Sequence, residues 1–184
     1  MLKVEPMVLQ DVSQAPYVVR SATIEDGAVI ARILTEVGRE GIYIANEGTY
    51  MTSEQQSLVL SRLNPQQHLI LVAEQNGVVV GTLEIVRGVF QKNAHTANFG
   101  MALVPAARGR HIGEGLLRAA HEWAKVTGIE KICLSVFSSN TGAIRLYQRM
   151  GYHEEGRRRN QYRLGGVFVD EVFMAWYLPP QSAN

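Results

Sequence analysis

The sequence predicts one α/β domain built on a mixed sheet, and three observations carry that expectation. Residues 68–87 read HLILVAEQNGVVVGTLEIVR, two β-branched runs around Asn76-Gly77, a turn pair that tolerates positive φ and so specifies an antiparallel hairpin. Residues 94–137 read as a strand, a basic glycine-bearing loop, an amphipathic helix and a second strand. The right-handed crossover of such a unit makes its two strands parallel. Finally, 184 residues, 46% hydrophobic and 19% charged, suit one compact domain rather than a disordered or fibrous chain.

The elements follow in order. The first fifteen or so residues show no period, so 1–16 is expected to be an N-terminal extension, 17–180 the domain and 181–184 a tail. YVVRSA at 17–22 is the first strand, and Thr23-Ile24-Glu25-Asp26 signals a helix start. Val29, Ile30, Ile33, Leu34 and Val37 recur at helical spacing, and a second helix over 53–63 places Leu58, Val59 and Leu63 behind a Thr52 or Ser53 cap. The hairpin strands span 68–74 and 78–87. A further apolar run, 94–104, stops at Pro105, which cannot donate to a sheet ladder. After ARGRHIGEG, a helix face runs from Leu116 through Trp123 to Thr127 and ends at Gly128, a residue suited to the left-handed cap. KICLSVF at 131–137 is a strand, a last helix runs from Thr141 to Met150, and strands follow at 152–155 and 167–178. The basic run RRRN at 157–160 reads as a solvated turn between them, and Trp123 and Trp176 read as core.

Composition excludes several functions. Eighteen Lys plus Arg against 17 Asp plus Glu leave a formal charge of +1, which gives no reason to expect nucleic acid as the main partner. No apolar stretch approaches the roughly 20 residues of a membrane span, and Glu5 and Asp11 interrupt any signal-peptide core. Cys133 is the single cysteine, in an apolar run, so it forms no internal disulfide and suits a reducing cytoplasm. His68, His95, His111, His121 and His153 are too scattered to argue a metal site.

The chemistry concentrates in LVPAARGRHIGEGLL at 103–117, a strand-to-helix loop whose amides, arginines and helix start can all face an anion. A Walker A loop fails because Glu114 follows Gly113, and a dinucleotide fingerprint fails because Arg118 stands where its third glycine belongs. What remains resembles the acyl-CoA-binding motif of the GCN5-related N-acetyltransferase (GNAT) superfamily: Arg or Gln, two residues, Gly, one residue, Gly or Ala, at Arg108, His111 and Gly113. His111 departs from the usual glycine. SSNTGAIRLYQRMGY resembles the second cofactor motif through Asn140, Ala143, Ile144, Leu146, Tyr147, Gly151 and Tyr152, and the resemblance covers 17–178.

The resemblance implies a mixed, largely antiparallel sheet with a central splayed parallel strand pair flanked by helices. It implies acetyl-CoA as co-substrate, no metal, and direct transfer of acetyl to a primary amine in a ternary complex. The acceptor would be a small-molecule amine or polyamine, or a protein N-terminus. The rival reading is a non-catalytic acyl-CoA-binding or regulatory module, and a third is transfer of a longer acyl group. Carried onto this chain, the cofactor contacts fall on Leu103 and Val104, then on Arg108, Gly109, Arg110, His111, Ile112, Gly113, Glu114 and Gly115, and on Asn140, Ala143 and Tyr147. Exposed sheet edges and the dimers frequent in the family make a homodimer reasonable, with the oligomeric state left open by the sequence.

Tyr147 is the expected proton donor, since a phenol of pKa about 10 stays protonated beside a departing thiolate. Amides near Leu103 are the expected carbonyl-polarising donors. Glu84, among apolar residues of its strand, is the first candidate base, because burial would raise its pKa towards a useful value, and the other reading is an outward residue on an alternating strand. Asn98 cannot accept the proton itself, and His95 reads as structural or substrate-lining. Acceptor choice is expected to rest on 38–63, with Tyr43, Glu47, Tyr50 and the carboxylates of Glu36, Glu40 and Glu54, and on the final hairpin.

Overall fold

Asn76 and Gly77 both adopt positive φ, 53° and 75°, and turn β3 (His68–Gln75) into β4 (Val78–Arg87). That hairpin lies near the middle of the sheet in a computed structural model that describes residues 4–45, 47–48 and 51–179. The remaining elements are β1 (Met7–Gln10), β2 (Pro16–Ser21), α1 (Gly27–Arg39), α2 (Ser53–Ser61), β5 (Thr96–Leu103), α3 (Ile112–Thr127), β6 (Lys131–Phe137), α4 (Thr141–Arg149), β7 (His153–Leu164) and β8 (Val167–Tyr177). The sheet order is β1-β2-β3-β4-β5-β6-β8-β7, antiparallel throughout except at β5 and β6.

Each face of the sheet is covered by the helices whose apolar stripes the sequence displays. Leu116, Leu117, Ala120 and Trp123 of α3 are buried with Leu71, Leu83 and Ile132. Ile30, Ile33 and Val37 of α1 pack on Ile70 and Val72 on the opposite face. Each such side chain contributes about 1.5–3 kcal/mol by leaving water. Trp123 also donates from Nε1 to the Pro65 carbonyl at 2.7 Å, and Trp176 stacks on His121 with centroids 4.1 Å apart, so both tryptophans are core. Thr52 caps α2 by accepting from the Gln55 N–H, and Gly128 ends α3 at φ 72°.

Two elements differ from their sequence reading. Residues 7–10, assigned to an extension, form edge strand β1, with Met7 opposite Val19 and Gln10 opposite Pro16. Four residues are too few to display a period. Arg157–Asn160, read as a turn, lie inside the twelve-residue β7, and the turn is Gly165-Gly166, at φ 55° and 86°. β7 is an edge strand whose residues are mostly exposed, so no apolar alternation announces it. Its ladder is irregular between Arg158 and Tyr162, where Asn160 sits at φ 52°. Tyr50 and the 181–184 tail fall outside the described residues.

The parallel pair positions the site. β5 and β6 pair only at Thr96 with Lys131, Ala97 with Ile132 and Asn98 with Cys133. Beyond Asn98, β5 stays with β4 while β6 stays with β8, so the two diverge and open a wedge through the sheet.

Candidate active site

One wall of the wedge is β5, whose backbone groups alternate between neighbours. The Val104 N–H donates to the Val80 carbonyl at 3.0 Å, on the β4 side. By strand periodicity the Leu103 and Met101 N–H groups point the other way, towards β6, with no ladder partner there. Leu103 therefore faces the opening and lines it. Val104, grouped with it from the sequence, has its amide committed to β4 and does not line the cleft.

The cleft itself has a volume of about 1120 Å³. That exceeds a typical single small-ligand pocket of about 300–1,000 Å³, leaving room for a large cofactor and an acceptor together. At one end lies the loop from Arg108 to Gly113. Arg108 N donates to the Pro105 carbonyl, and Glu114 and Gly115 N donate to that of His111, but the N–H groups from Gly109 to Gly113 have no partner among the described residues. Gly109 and His111 both adopt left-handed backbone, φ 68° and 65°, which turns these amides into a concave donor set at the start of α3. A non-glycine residue there costs roughly 1 kcal/mol or more. Part of the compensation is visible: Tyr17 Oη donates to the His111 carbonyl at 3.2 Å.

The supposed N-terminal extension braces this loop. The Asp11 carboxylate, fully buried, accepts from Ser13, from Gln75 Nε2 at 2.9 Å and from the Arg110 guanidinium. Its hydrogen bonds from Ser13 and Gln75 hold it far below the usual carboxylate range. Arg110 is thereby turned away from the cleft, which it does not line. Gly115 is likewise a packing residue, since a Cβ there would lie 2.4 Å from Tyr17 Oη. Gly113 does line the cleft, with Leu146 Cδ2 3.0 Å from where its Cβ would be. Ile112 and Glu114 line it as well.

The second wall is α4. Asn140 caps it, its side-chain oxygen accepting from the Ala143 N–H at 3.2 Å. Asn140, Ala143 and Tyr147 all line the cleft. Tyr147 packs edge-on to Phe99 and Tyr152, at 5.8 and 5.9 Å between centroids. Burial pushes its phenol well above the ordinary value, and no described residue hydrogen-bonds its hydroxyl. The sequence reading missed Arg145 and Arg149, four apart on the same helix, which also line the cleft. Arg149 donates to Glu114 at 2.9 Å and balances a carboxylate that would otherwise repel an anion at the loop.

On the other face of the sheet, Glu84 takes the outward of its two sequence readings. Its carboxylate is 40% exposed and lies 2.6 Å from His68 Nε2, so the apolar burial expected of it is absent. It lines a smaller pocket that shares Ile44, Gly100, Met101 and Ala102 with the main cleft, so a short route connects the two. His95 is exposed before β5 and lines neither, and Asn98 is exposed on β5. Glu40, expected among carboxylates attracting an amine, is committed elsewhere. Arg108 donates to it through both terminal nitrogens, one at 2.8 Å, donates through Nε to the Leu103 carbonyl, and stacks 4.4 Å over Tyr43. The Arg108 guanidinium holds the Glu40 carboxyl below its ordinary value. This clasp ties the segment after α1 to the loop. The β7–β8 hairpin supplies Tyr162, Val169 and the buried Glu171, which no local sequence signal had marked. No group of three or more His, Cys, Asp or Glu is placed to hold a metal among the described residues, and no described helix is long and apolar enough to cross a membrane.

Comparison with known proteins points the same way as this geometry. The model of the Acetyltransferase (GNAT) family matches residues 30–152. The L-amino acid N-acetyltransferase AaaT of Escherichia coli strain K12 is 33% identical over 109 residues, 57% of this chain and 65% of that protein, which is under two thirds of its length. Among solved structures, an acetyltransferase of the GNAT family from Streptococcus pneumoniae superposes with a TM-score of 0.81 at 25% identity, over 88% of this chain and 99% of its own. yncA from Salmonella typhimurium, solved with its cofactor acetyl-CoA, gives 0.80 at 24% identity over 91% and 96%, a likeness of fold.

Proposed function

This chain belongs to the GNAT family of acetyltransferases and is an N-acetyltransferase, and from that premise we propose that it passes an acetyl group from acetyl-CoA directly to a primary amine while both are bound. The observation that carries the reading is the wedge. Unpaired amides at Gly109 to Gly113 form its anion-holding end, and the phenol of Tyr147 lines the cleft between the diverging strands.

The residues present fit acetyl-CoA. A pyrophosphate needs several convergent N–H donors, which the loop offers. An amide-bearing arm needs strand edges with free backbone groups, which β5 and β6 offer past Asn98. Bound there, acetyl-CoA supplies the acetyl group already activated as a thioester.

The protein's own groups then divide the work. The N–H groups of Met101 and Leu103 are set to polarise a carbonyl in the wedge. Tyr147 holds a proton at Oη for the departing sulfur, and burial keeps that proton in place at any physiological pH. Glu84, steadied by His68, takes the proton shed by the amine through water in the pocket that joins the cleft at Gly100 to Ala102. Arg108 ties Glu40 and Tyr43, in the segment after α1, to the loop end of the cleft. Cys133, whose thiol is pushed up by burial, is a poor nucleophile, in keeping with direct transfer.

Free-thiol release from acetyl-CoA, followed with amino acids, N-terminal peptides, polyamines and aminoglycosides alongside calorimetric cofactor binding, tests this. Release with one amine class supports the transferase. Tight binding with no release from any amine would favour the non-catalytic binding module.

A further inference from the structure

Among the described residues three arginines line the cleft, Arg108, Arg145 and Arg149, and two of them are paired. Arg108 is held by Glu40 and Arg149 by Glu114. Arg145 is exposed and makes no ion pair or side-chain hydrogen bond among the described residues. It also stands four residues before Arg149, a spacing at which like charges on a helix repel, so the fold gains nothing from its charge. The helical period sets where that charge lies. Asn140, Ala143 and Tyr147 share the face of α4 turned into the wedge, while Arg145 and Arg149 share the opposite face, at the mouth of the cleft. Leu146, between the two faces, abuts Gly113, since its Cδ2 is 3.0 Å from where a Gly113 Cβ would be. The Arg149 bond to Glu114, 2.9 Å long, ties the outer face of α4 to the first turn of α3. Arg145 therefore stands just outside the amide cradle, on the side away from Tyr147.

We propose that Arg145 holds the 3′-phosphate of coenzyme A at the mouth of the cleft, and so makes the site selective for the full cofactor over its 3′-dephospho form. Coenzyme A carries two kinds of anion. Each phosphorus of its pyrophosphate bears a single charge, which the unpaired N–H groups from Gly109 to Gly113 can match. The 3′-phosphate is a monoester with about −1.5 to −2 charge near neutral pH and three acceptor oxygens, a group that suits a guanidinium. With the thioester end beside Tyr147 and the pyrophosphate on the loop, the nucleotide end is left outside the cradle, on the side where Arg145 stands. Arg149 gives Nη2 to Glu114 and keeps its other donors beside the same position. Because Arg149 and Glu114 neutralise each other, the charge that remains for an anion at this rim is that of Arg145.

This inference rests on acetyl-CoA being the co-substrate, and a binding experiment separates the two. Calorimetric titration is made with coenzyme A and with 3′-dephospho-coenzyme A, on the unaltered protein and on Arg145→Gln, with a thermal melt of each protein. The side chain is exposed and unpaired, so the melt should not move. The expected result is a Kd about tenfold lower for coenzyme A than for its dephospho form in the unaltered protein, as one charge-assisted contact supports. In Arg145→Gln the two affinities come within about twofold of each other, through weaker binding of coenzyme A alone. Equal affinity for the two forms in the unaltered protein overturns the proposal without recourse to the variant. An equal loss for both forms in Arg145→Gln, which would put Arg145 on the pyrophosphate, or an undiminished preference there, overturns it too, and each of these leaves the transferase standing. Binding of neither form by the unaltered protein overturns the cofactor reading along with it.

Discussion

Replacing Tyr147 by Phe removes one oxygen from a side chain that is otherwise fixed by its neighbours. The edge-on contacts to Phe99 and Tyr152 use the ring and survive. No described residue bonds the hydroxyl, so no hydrogen bond is lost, and stability changes by no more than about 1 kcal/mol. If the hydroxyl supplies the proton to the leaving sulfur, the maximal rate falls at least about 100-fold, or roughly 2.7 kcal/mol of barrier. Cofactor affinity, which rests on the loop amides, stays within about threefold by the same reasoning. The assay is saturating thiol release, with calorimetry for affinity and a thermal melt for stability. Because burial holds this phenol far above its ordinary value, the hydroxyl stays protonated through mildly alkaline pH. An unchanged kcat in the Phe variant, with the melt also unchanged, would remove Tyr147 from the mechanism.

Three further outcomes are expected. Glu84→Gln lowers kcat/KM most at low pH, where the amine most needs a base, and a pH profile parallel to that of the unaltered protein would dismiss its role. Gly115→Ala pushes a methyl to 2.4 Å from Tyr17 Oη and 2.7 Å from Leu9 Cδ1, so overpacking of about 1–3 kcal/mol should lower Tm by several degrees. An unaltered Tm would show that the brace of β1 and β2 on the loop is slack. His121, stacked on Trp176 and bonded to Tyr152, has its imidazole pushed down to about 4 by burial, mostly through desolvation. The unfolded chain binds that proton near pH 6.5, so the contribution is whole above that value and is lost as pH falls towards 4. The loss amounts to about 3 kcal/mol at most. Urea unfolding at pH 7 and pH 5, with His121→Gln as the neutral reference, measures it, and equal pH dependence in both proteins would refute the assignment.

Local pattern carried most of the elements. The Asn76-Gly77 turn, the Gly128 cap and the stripes of α1 and α3 each follow from chemistry within a few residues, and each was legible. The loop around Gly113 and the face of α4 that bears Tyr147 were marked by their resemblance to the family's two cofactor motifs, and both line the cleft. β1 and β7 were not legible, since a four-residue strand and an exposed edge strand show no period.

Tertiary structure decided what each charge does. Glu40 could have attracted an amine, but packing placed it against Arg108, 68 residues away. Asp11, from the apparent extension, holds Arg110 across 99 residues and so orients the loop. Val104 and Leu103 are neighbours in sequence, yet only pairing with Val80 reveals that their amides face opposite sides. Glu171 came to the cleft through the register of β8 on β6. A sequence records which groups can ionise, donate or pack. Which of them meet is set by strand order and register, because an electrostatic or hydrogen-bonded contact depends on distance in space rather than on separation along the chain.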